Sequence, residues 1–246
     1  MNPAGIRANF SILRKCKRSD HKLKYRAFIL FALLLFTSCE EDTTGIQTEK
    51  NYLPYFPIGD GYIWTYEVTR KVTMKDTPGT ITYVDTITCE MTLSGVTYQD
   101  KDLYSYKQPG TASFALYSVN DTLYSLAWAG SPDPPQLFWK KYFELNETWE
   151  VDGLSSGPLG FQSAPNPKVQ ITIDNKLIDR SASIRIGDRI FLDCIVVQSR
   201  YAHMVSQFDF SLYYARNTGV VYITGSSESI YSDIDYEYKL LSFEKL

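Results

Sequence analysis

From Tyr62 onward the apolar residues recur at every second position, and this period is the strongest constraint on what the chain can fold into. Tyr62, Trp64, Tyr66, Val68 and Val72 alternate with Thr65, Glu67, Thr69, Lys71 and Thr73. Past a turn signal at Pro78-Gly79, Ile81, Tyr83, Ile87, Cys89, Met91 and Leu93 alternate with Thr80, Thr82, Thr86, Thr88, Glu90 and Thr92. Successive side chains of a β-strand point to opposite faces, so each run reads as a strand with one buried face, and the pair reads as a hairpin. A second hairpin is predicted around Asn120-Asp121, between Phe114–Val119 and Leu123–Trp128. Further strand patterns lie at 169–173, 183–186, 190–197, 201–205, 212–215, 220–224 and 236–243. No segment carries ten or more residues of clear helical period. Many short antiparallel strands with one apolar face must bury that face, and with little helix to cover it the sheet closes on itself. The expected fold class is all-β, an antiparallel curled sheet, half-barrel or barrel, with little helix.

Before this domain the composition changes twice. Residues 1–26 hold eight basic side chains against the single acid Asp20, and Ala27–Phe36 is wholly apolar. A basic stretch followed by a short apolar one is the pattern of an export signal, and ten apolar residues fall short of the ~20 needed to span a bilayer. The apolar stretch ends in Leu35-Phe36-Thr37-Ser38-Cys39, with small residues directly before the cysteine, followed by Glu40-Glu41-Asp42. That arrangement resembles a bacterial lipoprotein signal, in which the cysteine is acylated, as with palmitate, and becomes the mature N-terminus. The acidic run resembles an export tag for the cell surface. The expected organisation is a signal peptide over 1–38, a flexible tether over 39–51 and an all-β domain over 52–246.

Removing the leader changes the charge. The 25 Lys and Arg lose eight and the 28 Asp and Glu lose one, which leaves 17 basic and 27 acidic side chains and a net charge of −10. Such a chain repels phosphate, so a nucleic-acid partner is excluded. The same charge discourages adsorption to anionic head groups, so acyl chains rather than the domain surface are expected to hold the protein at the outer membrane.

Candidate chemistry is sparse. His203 is the single histidine left after the leader, it falls in a strand pattern, and no nucleophile motif accompanies it. Zinc needs several His or Cys ligands, which the chain lacks, and no calcium loop is present; no cofactor or metal is expected. Asp233, Asp235 and Glu237 share one strand face opposite Ile234, Tyr236 and Tyr238, as a solvated outer face does. Cys89 and Cys194 each sit in an apolar strand, which suits small buried hydrophobes, while export would also permit a disulfide. Aromatic residues reach 15%, and most belong to the sheet. Trp128, Trp139 and Tyr142 flank the Ser131–Pro135 connection and are the candidate ligand-binding rim.

Three segments together resemble a group of uncharacterised lipoproteins frequent in Bacteroidetes: Phe56-Pro57-Ile58-Gly59-Asp60-Gly61-Tyr62-Ile63-Trp64-Thr65-Tyr66, then Leu145-Asn146-Glu147-Thr148-Trp149, then Tyr213-Tyr214-Ala215-Arg216-Asn217-Thr218-Gly219-Val220-Val221. The resemblance implies an all-β fold like the cupped sheets of lipoprotein carriers, and no particular activity. The functional expectation is a non-enzymatic binding module, using a cupped β face or a loop rim to take a hydrophobic, glycan or protein partner. The alternatives are a glycan-acting enzyme with unrecognised carboxylates and a structural or assembly lipoprotein.

Overall fold

The structure is a computed structural model that describes residues 53–107, 114–126, 135–154, 170–203 and 205–246. Among the described residues, one 3₁₀ turn, Leu53–Tyr55, precedes twelve strands: β1 Tyr62–Met74, β2 Thr80–Tyr98, β3 Lys101–Lys107, β4 Phe114–Val119, β5 Thr122–Leu126, β6 Gln136–Lys140, β7 Thr148–Leu154, β8 Gln170–Ile186, β9 Arg189–His203, β10 Ser206–Ala215, β11 Gly219–Ser229 and β12 Ser232–Lys245. They form one antiparallel sheet in the order β6-β5-β4-β3-β2-β1-β12-β11-β10-β9-β8-β7. The meander is thus interrupted only between β6 and β7, while β1 pairs with β12 to join the two ends of the domain. The expectation of an all-β, curled, nearly closed sheet is met.

Turn chemistry fixes the register at one end, here called the base. Gln99 and Asp100 (φ 48° and 59°) join β2 to β3, and Asn120 and Asp121 (φ 48° and 60°) join β4 to β5. Two successive residues at positive φ make a type I′ turn, whose twist matches that of the flanking strands. The chain enters at this same end. Pro54 O accepts from Asn217 N in the β10–β11 turn, and Gly61 exchanges backbone hydrogen bonds with Met91 and Leu246.

Inside the sheet, alternate residues from every strand meet in one core. Trp64, Tyr66, Met91, Tyr106, Leu123, Trp139, Trp149, Phe210, Leu212, Tyr214, Tyr236 and Tyr238 all belong to it. Side chains just fill a barrel of about eight strands, and a wider one needs bulk. Aromatic rings supply that bulk, together with Tyr55 and Phe56 from the entering segment. Two of the buried polar tips are bonded to backbone carbonyls, Tyr66 donating to Val220 O at 2.9 Å and Trp64 Nε1 to Thr218 O at 2.6 Å, while Trp149 Nε1 and Tyr201 Oη are buried without a partner among the described residues.

The β6–β7 seam is closed by side chains. Trp139 packs on Phe143, Trp149 and Tyr214, and Lys140 pairs with Glu147. Phe138 has no register partner on β5, because Leu123 faces Trp139 and Tyr124 faces Leu137. Such a bulge re-aims one side chain, and here both Phe138 and Trp139 reach the core.

Two strands outrun their neighbours. The β8–β9 hairpin continues beyond the last β9–β10 pair, Ile195 with Tyr214, and three register shifts between Leu177 and Ile184 bend it. This arm crosses the base: Tyr55 Oη lies 3.0 Å from both the carbonyl O and Oδ2 of Asp193, and Arg189 donates to the carbonyls of Leu240 and Leu241. At the opposite end, β2 pairs with β1 along Thr80–Met91 but meets β3 only from Glu90 onward. Among the described residues, Thr80–Thr88 has no strand on its other side.

Candidate functional site

The outer face of β8–β11 carries a groove of about 690 Å³, lined by Thr172, Asp174, Arg200, Ala202, Gln207, Asp209, Ser226 and Glu228, together with Tyr201 and Phe208, whose side chains belong to the core. Register builds it. Asp174 stands opposite Arg200, Arg200 opposite Asp209, and Asp209 opposite Ser226, so one polar row crosses four strands. Ala202, Ser226 and Thr172 are short, while Arg200, Gln207 and Glu228 are long, and this contrast in length hollows an otherwise even sheet face. Arg200 Nε meets Asp209 Oδ2 at 2.7 Å, and Gln198 Nε2 spans both Asp209 oxygens at 2.9 and 3.2 Å. The pair is open to solvent, so it orders side chains more than it stabilises the fold.

This array combines planar hydrogen-bond donors and acceptors on one open face. No group of three or more His, Cys, Asp or Glu side chains among the described residues is arranged to hold a metal ion. The carboxylates at 233 and 235 are exposed and Glu237 is half-buried, on the face opposite buried Tyr236 and Tyr238, as the alternation predicts. Tyr222 Oη donates to Glu237 Oε1 at 2.9 Å.

Of the three aromatic residues read as a rim, the described two, Trp139 and Tyr142, differ in burial. Trp139 is 2% exposed and sits in the seam core, because the bulge and the ring contacts of β6 turn it inward. Tyr142 is 40% exposed, in the β6–β7 connection at the base. Trp128 and Cys39 lie outside the described residues, as does the side chain of His203. Cys89 and Cys194 are both buried thiols and form no disulfide, against that alternative. Burial raises the Cys89 thiol to about 11, against a smaller lowering by its Tyr106 hydrogen bond, so it stays protonated and unreactive.

The groove residues escaped the sequence reading because nothing in one strand marks them. Their only signal is the run of polar residues at alternate positions in four strands, interrupted by small ones, and its meaning depends on register.

No protein-family model matches the chain, and no curated protein does. Two solved structures align with it. One is a predicted lipoprotein of Parabacteroides distasonis, 13% identical, with a TM-score of 0.38 over 77% of this chain and 98% of that one. The other is a predicted exported protein with a YmcC-like fold from Bacteroides fragilis, 11% identical, with a TM-score of 0.39 over the same shares, 77% and 98%. Likeness at this level carries no functional assignment.

Proposed function

We propose that the chain is a lipoprotein of the outer membrane, held by acyl chains on Cys39, whose barrel is a non-enzymatic binding module working from its outer face. The anchor rests on the basic and apolar leader ending in Thr37-Ser38-Cys39. The choice of face rests on packing. The inward side chains of the sheet are buried against one another, so a ligand inside would have to displace core residues, whereas the β8–β11 groove is already open. Its volume falls within the ~300–1,000 Å³ of small-ligand sites. Its lining of Arg200, Asp209, Asp174, Gln207 and Ser226 matches the hydroxyls of a glycan better than an acyl chain. The contact role read for Trp128 belongs to the same proposal.

Two variants test the two halves. Cys39→Ala should prevent fatty-acid labelling and release the protein from washed membranes; retention of that variant would place the anchor elsewhere. Arg200→Ala should abolish binding on a glycan array without changing the melting temperature. Equal binding by both proteins, or no binding by the wild type, would rule out the groove as a glycan site.

A further inference from the structure

The exposed edge of β2 points to a second copy of this chain. Thr80–Thr88 is paired with β1 on one side and with no described strand on the other. Its side chains stand in solvent through Thr86, with Ile81, Tyr83 and Val84 exposed by 54, 47 and 61%. Edge strands are ordinarily blunted by lysine, proline, a bulge or an inward charge, because a bare row of backbone N–H and C=O groups templates another strand. This edge has none of the first three, and its one charge, Asp85, pairs with Arg70 of the same hairpin.

The edge also reads the same in both directions over most of its length: Thr80-Ile81-Thr82-Tyr83-Val84-Asp85-Thr86-Ile87-Thr88. Two antiparallel copies related by a two-fold axis through Val84 set Thr80 against Thr88, Ile81 against Ile87, Thr82 against Thr86, and Val84 against itself. Like residues then meet on both faces, since Thr–Thr and apolar–apolar pairs are favourable cross-strand neighbours. Tyr83 meets Asp85 of the other copy twice. The guanidinium of Arg70 lies 5.8 Å from the Tyr83 ring centroid and is paired with Asp85, so the carboxylate entering the interface is already compensated. Other registers lose this match. An axis at Asp85 places two like charges opposite each other, and one at Tyr83 sets Ile81 against Asp85.

We propose that the protein forms a two-fold dimer by antiparallel pairing of β2 with β2 of a second copy, centred on Val84, so that two twelve-stranded sheets become continuous. An isologous contact of this kind closes after two subunits and does not propagate. The paired surface is narrow, so the dimer forms and dissociates with concentration.

Cross-linking reads the register directly. In mature-length protein carrying Cys39→Ala, Val84→Cys brings two thiols together on the axis. Directly opposite Cα atoms lie about 4.5–5.5 Å apart in an antiparallel pair, within the ~4.4–6.8 Å that a disulfide spans. Mild oxidation should therefore link Val84→Cys to itself, and Ile81→Cys to Ile87→Cys in a mixture, much faster than it links the exposed control Val205→Cys. Sedimentation up to about 1 mM, the weak end of specific association, should show a monomer–dimer equilibrium. Val84→Lys should abolish it, and an equal mixture of Val84→Lys with Val84→Glu should restore it. A monomeric wild type across that range, or Val84→Cys linking no faster than Val205→Cys, would overturn the proposal. Self-linking of Ile81→Cys at the Val84→Cys rate would overturn the register.

Discussion

Trp139 shows how one side chain can look like a ligand contact and serve as structure. It lies beside a proline-rich connection, where an aromatic residue is as plausible at a rim as in a core. The structure sets its ring 4.8 Å from Tyr214, 5.3 Å from Phe143 and 6.2 Å from Trp149, which makes it the principal bulk filling the seam. Deleting such a buried ring leaves a cavity its neighbours cannot close, so Trp139→Ala should lose about 3–5 kcal/mol of stability. Tyr142→Ala removes an exposed ring that Lys141 approaches to within 5.3 Å of its centroid, and should change stability by no more than about 0.5 kcal/mol. Urea melts of the two variants decide the assignment: equal midpoints would mean that Trp139 is not the seam's filler.

At the level of single elements, the sequence was informative where one face of a strand is apolar and the other polar. The β1–β2 and β4–β5 hairpins fall where alternation and turn residues put them. Strand β3 was not anticipated, because both of its faces are covered. Tyr104 and Tyr106 face the main core, while Leu103 joins Ala115, Tyr117 and Leu126 in a second cluster on the outer side, so no alternation survives. Strand β6 was missed because its bulge places Phe138 and Trp139 on one side. The bend of the β8–β9 arm depends on register shifts that no local pattern announces. That arm is latched where Tyr55 Oη meets Asp193, whose φ of 55° turns its carbonyl and carboxylate toward the phenol. Tyr55→Phe should cost about 1 kcal/mol, since water can replace the phenol at the exposed carboxylate. Amide exchange should quicken in residues 182–194 and stay unchanged in β10–β12. Uniform quickening across the sheet would mean that the phenol supports the whole barrel rather than the arm.

For the whole molecule, filling a twelve-stranded sheet with tyrosines ties its stability to pH. A strand residue that is apolar along its ring and polar at its tip can line a wide barrel, but only in its neutral form. Burial raises the phenols of Tyr66, Tyr106, Tyr201, Tyr214 and Tyr238 well above their ordinary value of 10. Burial and the hydrogen bond to Glu237 raise Tyr222 to about 12. Each of these groups holds its proton more tightly in the folded chain than in the unfolded one. Their contribution is therefore fully present below pH ~10 and is lost as pH climbs past that value, because the unfolded state then releases protons that the folded state retains. The urea midpoint should be level with respect to these groups from pH 8 to pH 10 and fall steeply above it. The tyrosinate absorbance of the buried rings should rise only with the loss of strand signal in circular dichroism. If all the tyrosines ionise together near pH 10 with the strand signal intact, the barrel interior is open to water and the packed-core account fails.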